Sequence, residues 1–207
     1  MTPVELKHSS PSFIGCWDTD QAENCQKIID YVKNERSLVQ GNTGPLRKVN
    51  KALKESLDTT FFTNNIPSLF IPVLDSLQEC LEDYLSTYPH ANGVESFFMS
   101  DFNFQMYKPG MAYWNIHSER QCTLDGRRHL VWMIYLNDVD DYGGTYFKYQ
   151  NVAVTPKAGR ILIWPTDWTH SHMGIVSPTQ EKCILTGWYF FETELYGNLE
   201  MFSKVNE

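Results

Sequence analysis

The sequence predicts an α+β fold that is mainly β: a double-sheet barrel or jelly roll with helices packed on its outside. Helical periodicity is confined to the N-terminal half, before Asn92. Beyond Asn92 the chain consists of short segments rich in Val, Ile, Thr and aromatic residues, separated by turn signals such as Pro109-Gly110 and Gly143-Gly144. Such segments are typical of antiparallel strands. Several of them after a helical region favour a double-sheet β core with helices against its outside.

Two helices are predicted in the N-terminal half. The first spans residues 18–35, where apolar residues recur at helical spacing behind a cap-like Asp-Thr-Asp. Its buried face is predicted at four positions: Cys25, Ile28, Ile29 and Val32. The second spans residues 67–86, carries one apolar stripe and stops before Pro89. Between residues 38 and 62 the pattern is weak, and it predicts a short strand or a loop at 54–58.

The strands of the C-terminal half are predicted at residues 97–107, 113–117, 129–136, 146–150, 160–164 and 182–191. The chain has 207 residues, of which 42% are apolar and 14% aromatic, so it is large and apolar enough for one compact domain. We expect a helical N-terminal support region over 1–92, a jelly-roll catalytic core over 93–193 and a C-terminal tail over 194–207.

The net charge excludes some classes of partner. A charge of −8 argues against general attraction to nucleic acid or to anionic membrane surfaces. The five cysteines are an odd number without a Cys-x-x-Cys pair, which indicates reduced thiols rather than disulfides or a zinc ribbon. The N-terminus lacks the pattern of a signal peptide, and no apolar run is long enough to cross a bilayer. We therefore expect a soluble cytoplasmic protein in a reducing compartment.

His117 and Glu119 are the first candidate metal ligands. They lie two residues apart, and on an extended strand that spacing points both side chains to one face. Roughly one His in eight would have an acid at that position by chance, so the pair alone is a weak signal. His170 and His172 each offer a third ligand. Two His and one carboxylate suit non-haem Fe(II), whereas a closed zinc site would want more sulfur or nitrogen ligands.

Lys182 is the second candidate functional residue. It begins an apolar strand and shares its face with Ile184, Thr186 and Trp188, which predicts a lysine directed into the barrel. An inward ammonium needs an anion, and a bound dicarboxylate would supply one, with Thr186 as a hydroxyl donor to the same carboxylate. The alternative is that Lys182 reaches out of the barrel mouth or pairs with a surface acid.

Residues 107–191 resemble the prolyl 4-hydroxylase-like Fe(II)/2-oxoglutarate dioxygenases, especially their small bacterial and phage members. A weaker likeness lies upstream, in KALKESLD. The main resemblance is carried by five successive blocks: YKPGMAYWNIHSE, HLVWMIYLNDV, GG, KAGRILIWPTDWTHSHMG and EKCILTGWYF. It implies a jelly-roll core of the double-stranded β-helix type.

The resemblance also implies a site. His117, Glu119 and His172 would be the iron ligands, with Glu119 where many members have Asp. It selects His172 over His170 because the basic residue that binds the far carboxylate of 2-oxoglutarate usually follows the distal His by ten positions, where Lys182 stands. His170 would then lie behind the ligands or in the pocket. Thr186 would assist Lys182.

Three aromatic residues have roles implied by the same resemblance. Tyr107 would face the 2-oxoglutarate pocket, the Tyr135 hydroxyl would reach the co-substrate carboxylate, and Trp188 would lie behind the substrate. Each could instead be plain barrel core, because buried aromatic residues usually only pack. The segment after Gly143-Gly144 is shorter than is common in the family, so the loop that borders the substrate is hard to align.

The function implied by the resemblance is hydroxylation that uses Fe(II), 2-oxoglutarate and O2 and releases succinate and CO2. The resemblance also allows ascorbate as an additional cofactor. The expected substrate is proline in a peptide or protein. One alternative is the same chemistry on another amino acid or small molecule. Another is a non-catalytic jelly-roll module that binds a metal or a sugar. Because the chain resembles phage members of the family, it could also be encoded by a phage and act in the host cell.

Overall fold

The computed structural model describes residues 1–4, 12–44, 48–93 and 96–192. This part of the chain contains two α-helices, α1 (Ala22–Glu35) and α2 (Ile71–Thr87). Its strands in the N-terminal half are β1 (Thr2–Pro3), β2 (Gly15–Asp18), β3 (Val39–Gln40) and β4 (Leu57–Phe61). The strands that follow are β5 (Phe97–Met99), β6 (Phe102–Tyr107), β7 (Arg128–Tyr135), β8 (Thr145–Phe147), β9 (Val152–Val154), β10 (Arg160–Pro165), β11 (His172–Gly174) and β12 (Lys182–Phe191). The predicted tail over 194–207 lies outside the described residues.

The strands form two antiparallel sheets. The major sheet has the order β1-β2-β10-β7-β12-β6-β4-β3, and β5 pairs with β12 as well. The minor sheet has the order β11-β8-β9. Buried residues of both sheets meet in one cluster, to which the minor sheet contributes Phe147, Val152 and Val154. This is the predicted mainly β, double-stranded β-helix architecture.

The major sheet separates two apolar clusters, as the alternation along β7 shows. Val131, Met133 and Tyr135 belong to the cluster between the sheets. Their neighbours Leu130, Trp132 and Ile134 belong to the cluster that contains the buried faces of α1 and α2. A strand whose successive side chains are buried on opposite faces has a period of two. The helices therefore cover the outside of the major sheet, as predicted.

The helices begin later than the pattern predicts. Cys25, Ile28, Ile29 and Val32 are buried as predicted, but the helix starts at Ala22 because Gly15–Asp18 is strand β2, which pairs with β10. The second helix is preceded by a 3₁₀ turn over Ser68–Phe70. Neither helix, nor any other in the described residues, is long and apolar enough to span a membrane.

Three strand predictions differ from the structure, and β9 and β11 lie outside all the predicted strands. The predicted strand 146–150 corresponds to β8, which ends at Phe147 because residues 148–151 form the turn to β9. The predicted strand 97–107 is two strands, β5 and β6, which both pair with β12. The predicted strand 113–117 is an extended segment with two isolated bridges, Lys54 to Tyr113 and His117 to His172. It forms no continuous ladder because its two ends pair with different partners. The region before Asn92 also contributes β1 to β4 to the major sheet, so it is not only helical support.

Leu185 tests the packing at the centre of the major sheet. It is fully buried in the helix-side cluster, and β12 is flanked there by β6 and β7. We expect Leu185→Ala to lower the free energy of unfolding by about 2–5 kcal/mol, because it leaves a cavity where neighbours cannot collapse. The matched control, Val39→Ala at an exposed position, should change it by less than about 0.5 kcal/mol. Urea unfolding measures both, and equal effects would contradict the assignment of the core.

Candidate metal centre

His117 and His172 are held side by side by their own backbones. The His117 amide donates to the His172 carbonyl at 3.0 Å, and the His172 amide donates to the His117 carbonyl at 2.8 Å. This reciprocal pair joins the segment before β7 to the first residue of β11. The two imidazole rings lie 4.4 Å apart between centroids. Two residues distant in sequence are thereby presented as neighbouring ligands.

Glu119 completes the group. Its amide and that of Arg120 both donate to the Thr166 carbonyl, at 3.1 and 3.0 Å. Glu119 Oε1 lies 3.4 Å from His117 Nε2 and 3.4 Å from His172 Nε2. The three ligand atoms all lie within 4.8 Å of one another, and the side chains are largely buried. Although 113–117 is not a ladder strand, the two-residue spacing does direct His117 and Glu119 to one point.

The hydrogen bonds of the two imidazoles settle their tautomers. His117 Nδ1 lies 2.8 Å from the Asn115 carbonyl, and His172 Nδ1 lies 2.9 Å from the His170 carbonyl. A carbonyl only accepts, so each Nδ1 must carry the hydrogen. Both Nε2 lone pairs then face Glu119. This is the arrangement in which protein imidazoles bind metals, with the other nitrogen donating to a fixed acceptor.

The electrostatics favour the protonation states that bind a cation. Burial, together with the neighbouring His172, lowers the pKa of His117. For Glu119, burial acts to raise the pKa, but a proton or other positive charge at the two Nε2 atoms that face the carboxylate stabilises its ionised form, and this holds the pKa well below its ordinary value. A neutral imidazole and an ionised carboxylate are the forms that ligate metals. These donors fit Fe(II) as two nitrogens and one oxygen on one side of an open centre.

His170 lies outside this group. Its Nε2 is 3.0 Å from the Ser12 carbonyl and its Nδ1 is 3.0 Å from the Thr169 hydroxyl, so both ring nitrogens already have protein partners. Its contribution to the centre is its backbone carbonyl, which accepts from His172 Nδ1. Of the two histidines that the sequence offers as a third ligand, the structure therefore places His172 beside His117 and Glu119.

Lys182 is buried at the start of β12, with 4% of its surface exposed. Its Nζ donates to the Gly143 carbonyl at 2.7 Å and lies 4.8 Å from the centre of the Tyr107 ring. Burial lowers the pKa of Lys182 to about 8. Within residues 1–4, 12–44, 48–93 and 96–192 it forms no salt bridge. The lysine thus points inward, as the sequence predicts, and does not pair with a surface acid.

A glycine pair shapes the wall beside this lysine. Gly143 has a φ of +68°, a backbone conformation that side chains rarely adopt, and a Cβ at Gly144 would lie 2.4 Å from the Val154 carbonyl oxygen. The turn places the Gly143 carbonyl against Lys182. It also precedes Thr145, whose hydroxyl contacts Tyr135 at 2.7 Å. Thr145 was not predicted, and the adjacent Gly-Gly is the signal that could have found it.

The other predicted pocket residues each have a protein partner. The Tyr107 hydroxyl donates to Gln105 Oε1 at 2.7 Å, and the Thr186 hydroxyl donates to the Trp132 carbonyl at 3.2 Å. Tyr107 and Tyr135 belong to the cluster between the sheets. Tyr107 and Tyr135 face Lys182 and Ile184 respectively in the β12 register. They therefore line the same interior as Lys182.

Trp188 contacts the candidate ligand Glu119 directly. Its Nε1 donates to Glu119 Oε2 at 3.1 Å. Two further residues that the sequence did not single out also lie at the group. The Tyr113 ring stacks on His117 at 3.7 Å and 11°, and the Arg128 guanidinium lies 4.1 Å from the Trp188 ring centre. No spacing rule marks either residue, because both contacts arise from the chain's three-dimensional path.

An apolar cavity of about 340 Å³ lies elsewhere, where the C-terminal part of α2 approaches β7 and β10. Tyr84, Tyr88 and Leu130 line it, and the ion pair of Arg120 with Asp167 borders it. None of the three ligand residues and neither Lys182 nor Tyr135 is part of its lining. The candidate His-Glu-His group is therefore separate from this cavity.

Comparison with known proteins agrees with this geometry. Residues 102–190 match the model of the 2OG-Fe(II) oxygenase superfamily, and no curated protein sequence gives a match. Similar solved structures include a viral collagen prolyl hydroxylase from Paramecium bursaria Chlorella virus-1 in complex with 2OG, at 21% identity and a TM-score of 0.62, with 86% of this chain and 95% of that chain covered.

Two further prolyl hydroxylases are similar in structure. A Pseudomonas putida prolyl-4-hydroxylase has 19% identity and a TM-score of 0.63, with 86% and 92% of the two chains covered. A Trichoplax adhaerens prolyl hydroxylase, in complex with a hypoxia inducible factor peptide fragment, has 14% identity and a TM-score of 0.69, with 87% and 84% covered. At such identities the likeness shows a shared fold. The segment that matches the family model contains the complete His-Glu-His group and Lys182.

Proposed function

We propose, from the premise that this chain is a 2-oxoglutarate- and Fe(II)-dependent dioxygenase, that it hydroxylates a prolyl residue in a peptide or protein. The observation that carries the enzymatic role is the convergence of His117 Nε2, His172 Nε2 and Glu119 Oε1 in a buried group. The proposed substrate is supported by the similar structures, which include prolyl hydroxylases, one of them solved with a peptide. That support is an analogy of fold.

His117, Glu119 and His172 would hold the iron. With 2-oxoglutarate and O2, iron supplies the oxidising chemistry that hydroxylates the substrate and releases succinate and CO2. The protein contributes the positions of its ligands and a site shielded from water. His117 is fixed from two sides, by the Asn115 carbonyl at Nδ1 and by the Tyr113 ring on its face. Such restraint keeps the ligand set formed before the metal binds.

Lys182 would bind the far carboxylate of 2-oxoglutarate. An ammonium group has three hydrogens, and the Gly143 carbonyl accepts one of them. Among the residues that the structure describes, no second acceptor is bonded to Nζ, which leaves two hydrogens for an anion. A carboxylate in this buried place would restore the charged state of Lys182 that burial disfavours. Thr186 lies four residues further along β12, and its hydroxyl already donates to the Trp132 carbonyl, so the predicted donation to this carboxylate is not assigned to it.

The affinity for 2-oxoglutarate should therefore depend on pH. The pKa of Lys182 is about 8, and only the protonated form attracts a carboxylate. As the pH rises above about 8, the free protein loses this proton, so the apparent Kd should increase by up to about tenfold per pH unit. Titration calorimetry with Mn(II)-loaded protein between pH 7 and 9.5 measures this.

The matched control for that titration is Lys182→Arg. A guanidinium stays protonated over the whole range, so the variant should show a nearly flat profile above pH 8, whatever its absolute affinity. A flat profile for the unaltered protein would contradict the role of Lys182. The Tyr107 ring that faces Lys182 stays neutral in this range, because burial holds the pKa of its hydroxyl well above the ordinary value.

The substrate is tested by succinate release. Protein with Fe(II) and 2-oxoglutarate is assayed alone, with a panel of proline-containing peptides, with the same peptides carrying alanine for proline, and with free amino acids. Stimulation by the prolyl peptides and not by the alanine peptides is the expected result, with hydroxyproline in the product. Stimulation by free amino acids alone would support the alternative substrate class and overturn the peptide proposal.

A further inference from the structure

We propose that Trp188 and Arg128 form a clamp that keeps Glu119 a one-oxygen metal ligand. In this clamp Oε2 is held by the protein and Oε1 alone is left for the metal. The inference rests on the proposed role of Glu119 as an iron ligand. It makes Trp188 and Arg128 positioning residues that act through Glu119.

The two carboxylate oxygens of Glu119 have different surroundings. Oε1 faces both imidazoles, at 3.4 Å from each Nε2. Oε2 accepts from Trp188 Nε1 at 3.1 Å and lies 3.6 Å from Arg128 Nη1. Hydrogen bonds to an ionised carboxylate are stronger than those between neutral groups, and a nearby positive charge adds to the attraction. The plane of the carboxylate is thereby set so that a single oxygen faces the space between the histidines.

Arg128 fixes Glu119 at both ends. Its Nη1 donates to the Glu119 backbone carbonyl at 2.6 Å and also lies near Oε2. The guanidinium stacks on the Trp188 ring at 4.1 Å and pairs with Asp125 at 3.2 Å. An arginine that stacks and forms several hydrogen bonds has a planar fork which a lysine cannot reproduce. The two clamp residues therefore form one connected group of four side chains with Glu119 and Asp125.

The clamp connects Glu119, which lies outside the major sheet, to two paired strands of that sheet. Arg128 is the first residue of β7 and Trp188 lies on β12, and these two strands pair directly. Glu119 lies in the segment between β6 and β7 and is not part of a strand. A glutamate has one more rotatable bond than an aspartate. Without the clamp its carboxylate could turn.

The number of oxygens that Glu119 gives to the metal has a chemical consequence. Carboxylates bind metals through one or both oxygens. Two histidines and one single-oxygen ligand leave positions open for other ligands, as oxygen-activating Fe(II) sites require. A second oxygen from Glu119 would occupy one of these positions. The resemblance places Trp188 behind the substrate, but its N–H is directed at Glu119.

The test removes the indole N–H of Trp188. Trp188→Phe keeps an aromatic ring, and the matched control is Trp17→Phe, which removes an indole N–H that donates to the Asp83 carboxylate at 2.9 Å on the helix side of the sheet. Both proteins are titrated with Co(II), which reports affinity by calorimetry and coordination number by its visible absorption. Thermal unfolding is recorded for both.

We expect Trp188→Phe to bind Co(II) about 10–100-fold more weakly and to shift its absorption toward a higher coordination number. Trp17→Phe should leave affinity and spectrum as in the unaltered protein. If Trp188→Phe does not fold, Arg128→Lys provides the same test, with the neighbouring exposed Arg127→Lys as its control. Unchanged affinity and spectrum in the clamp variant would overturn the clamp while leaving the metal site intact. If the unaltered protein binds no Co(II), the ligand assignment fails instead.

Discussion

Replacement of His172 by alanine is expected to abolish metal binding and 2-oxoglutarate turnover, whereas His170→Gln should preserve both. The Nε2 of His172 faces Glu119 Oε1, while both ring nitrogens of His170 are bonded to protein atoms away from the group. Loss of a ligand should cost more than the roughly 100-fold that loss of an outer hydrogen-bond partner costs. Co(II) titration and succinate release, with and without substrate, measure the two effects.

His117→Ala should behave as His172→Ala does, because the two imidazoles are equivalent toward Glu119. For His170→Gln we expect a lower thermal stability, since the bond to the Ser12 carbonyl is disturbed, but near-normal metal affinity. Near-normal succinate formation in either alanine variant would contradict the ligand assignment. Loss of metal binding in His170→Gln at a temperature where the protein is folded would contradict the distinction between the two histidines.

Lys182→Ala should raise the concentration of 2-oxoglutarate required for half-maximal turnover by roughly 10–150-fold. This range corresponds to the about 1.5–3 kcal/mol of a hydrogen bond to a charged group. The maximal rate at saturating 2-oxoglutarate should change much less, because Lys182 is proposed to hold the co-substrate end that does not react. Steady-state succinate release over a wide 2-oxoglutarate range separates the two parameters.

Lys33→Ala serves as the control for this experiment. Lys33 is a partly exposed residue that pairs with Glu181, the immediate neighbour of Lys182, at 2.6 Å. Its removal perturbs the same strand end without reaching the interior, so both kinetic parameters should stay close to those of the unaltered protein. If Lys182→Ala had an unchanged 2-oxoglutarate requirement, the anchoring role would be withdrawn.

The parts of the fold that sequence could predict are those set by local pattern. The buried face of α1 is correct to the residue. The bounds of β12 are those predicted, because seven of the nine residues after Lys182 are apolar or aromatic. Strands β1 to β4 were missed or left as a short strand or loop. They have two to five residues, and β2 and β4 join the sheet through β10 and β6, which lie far along the chain. The short β1 and β3 pair only with β2 and β4, so the evidence for all four strands depends on residues distant in sequence.

The same division applies to the candidate site. The His-x-Glu spacing is a local feature, and the ten-residue offset from His172 to Lys182 is a rule that the family resemblance implies. Together they singled out four residues that the structure places in the interior or at the buried group. The contacts of Trp188 with Glu119 and of Tyr113 with His117 depend on how β7 and β12 pair and on an irregular segment. No local pattern encodes such contacts, and Arg128 was therefore not predicted.

The reciprocal backbone pair between His117 and His172 gives a bound metal a second effect. His172 belongs to the minor sheet, whose strands have only three residues each, whereas Glu119 is tied to the major sheet through Arg128. A metal shared by these residues acts as a cross-link between the two layers of the barrel. Transient separation of the layers would have to break metal–ligand bonds, so loading with metal suppresses local opening of the smaller layer. An ion bound by these three residues would therefore stabilise the fold as well as serve the proposed chemistry.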